Sequence, residues 1–390
     1  MLRTSLAVNL PLALYVHFPW CVRKCPYCDF NSHVAAGGIP EDAYVEALLR
    51  DLDFELREAP ETRPLVSIFL GGGTPSLFSD RAVGTLLEAV AKRLAFAPGI
   101  EITLEANPGT VDAGHFRGYR AAGVNRLSVG VQSFDDAQLK RLGRIHDRRA
   151  AQVAVDVARA AGFDNLNLDL MFALPQQTLG AACDDLRAAI ACAPEHLSWY
   201  QLTIEPGTIF GARPPKLPDN EAAWAIQQAG QAVLAEAGFA QYEVSAYARA
   251  GQRCQHNLNY WTFGDYLAIG AGAHAKRSQP GEHALQVTRR ARRRSPQAYL
   301  DLAGSKAALD SVRRVGADEL PFEYTMNALR LNDGFQLVDF ERGTGLAAAA
   351  LDAPLAQARR LGLIIEAADN VRPSAFGLAH LNDLLELFLP

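Results

Sequence analysis

Three cysteines, Cys21, Cys25 and Cys28, stand within eight consecutive residues as C-x3-C-x2-C. Thiolates on one short loop can each take a different iron of a [4Fe-4S] cube, which leaves the fourth iron without a protein ligand. A single zinc ion is the competing use of such a triplet. Structural zinc wants four ligands, and with no fourth cysteine at a suitable spacing, His17 or His33 would have to complete the set. Cys183 and Cys192, in or at the end of a helical pattern, read as small buried apolar residues. Six cysteines in 390 residues are too few to staple a secreted fold. A reducing compartment, most simply a bacterial cytoplasm, is expected.

A second chemically suggestive segment is Gly71-Gly72-Gly73-Thr74-Pro75. Glycine lets the backbone approach a ligand closely and take positive φ. The run Arg289 to Arg294, with five arginines in six positions, is the one strong charge cluster. A solvated surface loop is its default reading; attraction to the carboxylates of a ligand, an acidic partner or an anionic membrane surface is the sharper one.

The elements that must position these residues show in the periodicity. Leu12 to Phe18, Leu65 to Leu70, Glu101 to Ala106, Arg126 to Gln132, Leu166 to Phe172 and Leu197 to Ile204 read as strands. Glu41 to Glu58, Asp80 to Leu94, Arg148 to Ala161 and Leu179 to Cys192 have helical spacing between them. Six β/α units imply parallel strands with right-handed crossovers. The predicted fold class is therefore α/β: a partial (β/α)6 barrel over residues 1–218, with its chemistry at the strand C-termini. Residues 219–317 read as a helical and aromatic extension that includes the basic run. Residues 318–390 read as a winged-helix-like α+β domain, with three helices, a ribbon from Leu363 to Pro373 and a last helix from Ala375 to Leu389.

Composition excludes several classes. With 49% hydrophobic and 21% charged residues the chain is an ordinary globular protein. A net charge of −5, from 38 basic and 43 acidic residues, gives no overall footprint for nucleic acid. Met1 to Phe18 resembles a secretion leader only superficially, because Asn9 and Pro11 interrupt it. No later stretch approaches the roughly 18 apolar residues of a membrane span.

Cys21, Cys25 and Cys28 after the first strand of such a barrel, with Tyr27 before the last of them and Gly71 to Pro75 ending the second strand, resemble the radical S-adenosylmethionine (SAM) superfamily. That resemblance implies a three-cysteine [4Fe-4S] cluster whose open iron SAM chelates. His17-Phe18-Pro19-Trp20-Cys21, Cys25 to Phe30, Glu105-Ala106-Asn107-Pro108, Gly130 to Phe134, Leu142 to His146 and Asn167 to Met171 narrow it to the oxygen-independent coproporphyrinogen III oxidase group. By resemblance Tyr15, Tyr27, Gly72 and Glu105 would contact the cluster-bound SAM, and Gly73, Thr74, Gln132, Arg144 and Asp169 would hold a second SAM.

Two departures separate this chain from the true oxidases: Phe30 replaces their fourth motif cysteine, and twenty residues, rather than a long arm, precede Cys21. Both resemble HemW-type haem chaperones, for which haem is cargo and haem-accepting proteins, including membrane-associated ones, are partners. Their haem-associated segment is matched by His256-Asn257-Leu258-Asn259-Tyr260-Trp261. An imidazole at His256 would ligate iron, with Tyr260 and Trp261 covering a macrocycle face and Cys254 as an alternative ligand. The competing functions are the oxidase activity itself and a winged-helix regulator on DNA.

Overall fold

Leu12–Phe18 and the runs that follow it carry apolar residues at consecutive as well as alternate positions, the mark of strands covered on both faces. The computed structural model describes residues 10–110, 113–282 and 284–390. The reading of the N-terminus as an arm rather than a leader falls mostly on residues 1–9, which lie outside the described residues. The strands are β1 (Leu12–Phe18), the two-residue β2 (Trp20–Cys21) and β3 (His33–Val34), β4 (Leu65–Gly72), β5 (Phe96–Ala106), β6 (Arg126–Gln132), β7 (Leu166–Phe172) and β8 (His196–Gln201). Strands β1, β4, β5, β6, β7 and β8 pair in parallel in that order, so their C-terminal ends share one rim.

Helices Glu41–Glu58, Asp80–Ala91, Ala113–Ala121, Arg148–Ala160 and Leu179–Ala191 fall between consecutive strands and join them in one apolar core. Three of them start where the sequence supplies an N-cap: Ser79, Asp147 and Thr178 each accept a hydrogen bond from the first turn. No helix among the described residues is long and apolar enough to cross a membrane.

Residues 219–317 depart from the expected helical and aromatic extension. After helix Asn220–Glu236 they supply β9 (Ala240–Glu243), β10 (Ala246–Ala248), β11 (Asp265–Ile269), β12 (His274–Gln279), β13 (Gln286–Arg292) and β14 (Leu309–Arg314). All six enter the same sheet, whose order is β14-β13-β12-β11-β1-β4-β5-β6-β7-β8-β10-β9. β11 adds a further parallel strand beside β1, while β10 runs antiparallel on β8.

The basic run corrects the surface-loop reading, because Arg289 to Arg292 lie within β13. Arg292 is fully buried, with Nε 2.9 Å from both Asp51 carboxylate oxygens and Nη2 2.6 Å from Glu55 Oε1. Arg290 donates to the two Glu55 oxygens at 3.0 Å, and Arg289 donates to Glu323 and Tyr266. These guanidiniums are spent on clamping helix Glu41–Glu58 and the C-terminal region to the sheet. They are not held free for an anionic partner.

The C-terminal residues have their own apolar core. Helices Leu320–Ala328, Leu337–Thr344 and Asp352–Arg360 pack with a three-stranded sheet of β15 (Phe335–Gln336), β16 (Ile364–Ala367) and β17 (Asn370–Pro373), in the order β15-β17-β16. The last helix, expected to be continuous, breaks at His380 into Ala375–Ala379 and Leu381–Glu386. His380 leaves helical backbone geometry there, and its ring contacts Asp383 at 3.2 Å.

Candidate functional site at the strand C-termini

The cysteine loop leaves the C-terminal end of β1 and is closed at its base by the β2–β3 pair. Asn31 pins it from within: its carbonyl bonds to His17 Nε2 at 2.9 Å, and its amide donates to the carbonyls of Ala271 and Arg294. Each thiol meets a donor from a different quarter. Thr74 Oγ1 donates to Cys21 Sγ at 3.5 Å, Arg144 Nη1 lies 3.6 Å from Cys25 Sγ, and Ser32 Oγ lies 3.7 Å from Cys28 Sγ. Donors to sulfur favour the thiolate and tune a bound cluster.

Among the described residues no three His, Cys, Asp or Glu side chains converge on a single ion. The histidines that could have completed a zinc site are engaged elsewhere. His17 bonds Tyr15 Oη and the Asn31 carbonyl, and His33 Nε2 bonds Asn31 Oδ1.

The glycine turn packs directly on this loop. Gly73 N donates to the Phe18 carbonyl and Thr74 N to the Trp20 carbonyl. A Cβ on Gly73 would fall 2.5 Å from the Trp20 oxygen. Part of the glycine requirement is thus close approach to the cysteine loop itself. Gly72 takes φ +112° and donates its N–H to Glu105 Oε2 at 2.9 Å.

Gly72, Gly73, Thr74, Glu105, Gln132, Arg144, Asp169 and Tyr27 line, with the three cysteines, one cavity of about 560 Å³. The expected SAM contacts are therefore brought together, Tyr15 excepted. Tyr15 stands behind them, with its hydroxyl on His17. Burial, and then Asp169, pushes the Glu105 carboxyl up to about 8. Burial also raises Asp169, although Asn167 and Ser128 donate to it at 2.7 and 3.1 Å. The Arg126 guanidinium opposes that rise at Asp169, and a cationic ligand beside the two buried carboxyls would oppose it at both.

His256, Tyr260 and Trp261 do not line the cavity. Helix Gln255–Trp261 packs at the opposite end of the strands, where Glu101 accepts the backbone N–H groups of Gln255 and His256. The His256 ring is 1% exposed, with Nδ1 on Ser67 Oγ at 2.9 Å and Nε2 on Tyr260 Oη at 2.8 Å. No ring nitrogen is free for an iron. Trp261 stacks on the Arg330 guanidinium instead, and Cys254 Sγ donates to Glu101.

The sequence analysis named Gln132 and Asp169 but not the other inward residues of the same strands. Arg126, Ser128 and Gly130 of β6 line the cavity beside Gln132, as do Asn167 and Met171 of β7 beside Asp169. The signal was present: polar residues at alternate positions of otherwise apolar strands.

Known proteins are similar along the whole chain. The Radical SAM superfamily pattern matches residues 15–189, and that of the HemN C-terminal domain matches residues 315–380. Heme chaperone HemW of Haemophilus influenzae and Heme chaperone HemW of Escherichia coli are each 50% identical to the chain, over 97% of it and 98% of the relative. Coproporphyrinogen III oxidase (HemN) of Escherichia coli shares the fold, with a TM-score of 0.81 over 98% of this chain and 91% of that one, at 23% identity. That last likeness concerns fold alone. With half of its residues shared across nearly the full length of both relatives, the chain belongs to the HemW family of the radical SAM superfamily.

Proposed function

We propose that the protein binds haem and passes it to acceptor proteins, and that it carries a [4Fe-4S] cluster and SAM at the rim of its sheet. The observation that carries this reading is the end-to-end identity of 50% with proteins named Heme chaperone HemW. Phe30, 60% exposed beside the cluster loop where the oxidases place a further cysteine, supports it.

Cys21, Cys25 and Cys28 would ligate the cluster, with Thr74, Arg144 and Ser32 as donors to their sulfurs. The cluster, when bound, supplies an electron at an open iron. Gly72, Tyr27 and Glu105 would face the SAM on that iron. Gly73, Thr74, Gln132, Arg144 and Asp169 would hold a second SAM, and Tyr15 acts through His17 as a positioning residue. We read the His256 segment as the plug of the barrel floor; ligation of haem by His256 would first require the bond at the ligating ring nitrogen, to Ser67 or to Tyr260, to break. All six cysteines are unpaired, which fits a reducing compartment such as the cytoplasm.

Anaerobic reconstitution tests the reading. Expected are four irons per chain, an EPR signal that changes on adding SAM, and stoichiometric haem uptake followed by its Soret band. Robust conversion of coproporphyrinogen III to protoporphyrinogen, without haem uptake, would move the chain to the oxidases whose fold it shares.

A further inference from the structure

We propose that His196 and Tyr242 are positioning residues for the Asp169 carboxyl of the cavity, acting through Asn167 in a buried hydrogen-bond chain of fixed polarity. Asn167 and His196 are register partners on β7 and β8, and Tyr242 reaches His196 from β9. The strand between, β10, puts Ala246 and Ala248 against Tyr242, and these short side chains leave its hydroxyl a path to the imidazole. Asn167, His196 and Tyr242 are all buried. Asn167 and Asp169 line the cavity, whereas His196 and Tyr242 stand behind them.

The bonds run in one direction. The Asn167 amide nitrogen donates to Asp169 Oδ1 and to Ser128 Oγ, each at 2.7 Å, and Ser128 Oγ donates on to Asp169 Oδ2 at 3.1 Å. An ionised carboxylate only accepts, so the amide nitrogen has to face Asp169 and the amide oxygen has to face away. That oxygen meets His196 Nδ1 at 2.6 Å and accepts from the Ser198 hydroxyl at 3.1 Å. His196 must therefore carry its proton on Nδ1, which leaves Nε2 to accept from the Tyr242 hydroxyl at 2.9 Å. The Tyr242 oxygen in turn accepts the backbone N–H of Cys254 at 3.4 Å. Burial, and then the Arg126 guanidinium, holds His196 well below its ordinary range, so it stays the neutral imidazole with one proton that the chain needs.

A buried histidine is often no more than a satisfied core residue. What sets His196 apart is that its chain ends on a carboxyl that lines the cavity. Burial raises Asp169, while the Asn167 and Ser128 donors and the Arg126 guanidinium on β6 lower it. Glu105 on β5 and Tyr200 on β8 are further titratable groups within its electrostatic reach. Without His196, only Ser198 holds the Asn167 amide oxygen. The amide can then turn, and Asp169 loses a donor that favours its ionised form. The other end of the chain is Cys254, the residue that precedes helix Gln255–Trp261. The floor segment and the cavity carboxyl are thus two ends of one chain. The use of Asp169 toward SAM rests on the function proposed above; the chain itself does not.

The test follows the Asp169 carboxyl itself, by carbon-13 NMR of the anaerobically reconstituted full chain labelled at aspartate Cγ, with Asp169→Asn assigning the signal. Loss of one charge-assisted bond predicts that His196→Leu raises the titration midpoint of Asp169 by about one to two pH units. In an Asn167→Leu background, adding His196→Leu should move the midpoint no further, because His196 acts through Asn167. An unmoved midpoint in His196→Leu overturns the proposal, as does an equal rise with and without Asn167. Nitrogen-15 NMR of the wild type should show His196 protonated on Nδ1 at neutral pH, and the Nε2 tautomer would also overturn the chain. SAM affinity against pH is the second readout. As pH falls, Asp169 gains its proton and affinity drops, and in His196→Leu that drop should begin at a higher pH than in the wild type. A wild type that binds no SAM refutes the assignment of Asp169 to SAM and leaves the carboxyl titration to decide the chain. Should His196→Leu fail to fold by circular dichroism, Tyr242→Phe, which removes a single oxygen atom, must still raise the midpoint in part, and an unmoved midpoint there overturns the proposal.

Discussion

Replacing Gly72 by alanine tests the link between the glycine turn and the cluster loop. Gly72 has φ +112°, a conformation that an L side chain reaches only at a cost of about 1–3 kcal/mol. The new methyl would also stand 2.4 Å from His17 Cε1 and 2.6 Å from His17 Nδ1. His17 is 5% exposed and has no open space to retreat into. To move, it must release Tyr15 Oη and the Asn31 carbonyl, at about 1 kcal/mol for each bond. The combined loss is on the order of 3–5 kcal/mol, large against a typical total stability of about 5–15 kcal/mol. Asn31 is also the residue that pins the cysteine loop, so the damage should reach the cluster. Urea unfolding of the reduced apoprotein measures the first effect, and iron content after anaerobic reconstitution measures the second. The expected results are a midpoint shifted by that energy and a clear drop in iron per chain. A loss below about 1 kcal/mol with full iron loading would refute the reasoning, because the clash and both bonds would then cost nothing.

Other perturbations follow from the same coordinates. Arg292→Met leaves Asp51 fully buried without its cation and Glu55 with Arg290 alone, and should cost about 3–5 kcal/mol in urea unfolding; a change within about 0.5 kcal/mol would show that the β13 arginines are not the clamp described. Burial holds the His256 ring at about 3, against an ordinary value of 6.5. The folded chain therefore binds fewer protons than the unfolded chain between those values, and this group's contribution is lost as pH falls from 6.5 toward 3, at up to about 1.4 kcal/mol per pH unit. His256→Gln should remove that share, seen as a flatter stability curve between pH 6.5 and 4 than the wild type; parallel curves would contradict it.

Much of the rim was legible because its chemistry is local. The spacing of Cys21, Cys25 and Cys28 is set by a few consecutive residues, and the turn at Gly72 needs a backbone conformation that only glycine takes cheaply. The strands were legible for a related reason. A parallel strand buried on both faces must be apolar almost throughout, so Leu12–Phe18 and Leu166–Phe172 announce themselves without their neighbours. Strands β9 to β14 were missed because several carry polar or charged residues whose partners lie far away in sequence. His274–Gln279 and Gln286–Arg292 read as loop until Asp265 and Asp51 are seen beside them.

By itself, then, the sequence determined the parallel core, the cysteine loop and the strands that carry Glu105, Gln132 and Asp169, since periodicity and short spacings are properties of neighbouring residues. Only the tertiary structure decided the fate of each long charged or ring side chain. It turned the arginine run into an internal clamp, because Asp51 and Glu55 lie some 240 residues earlier yet directly opposite. It closed both nitrogens of His256 with Ser67 and Tyr260, and set Arg126 beside Glu101. A charge or an imidazole is read through its partner, and those partners are fixed by the three-dimensional packing of distant strands.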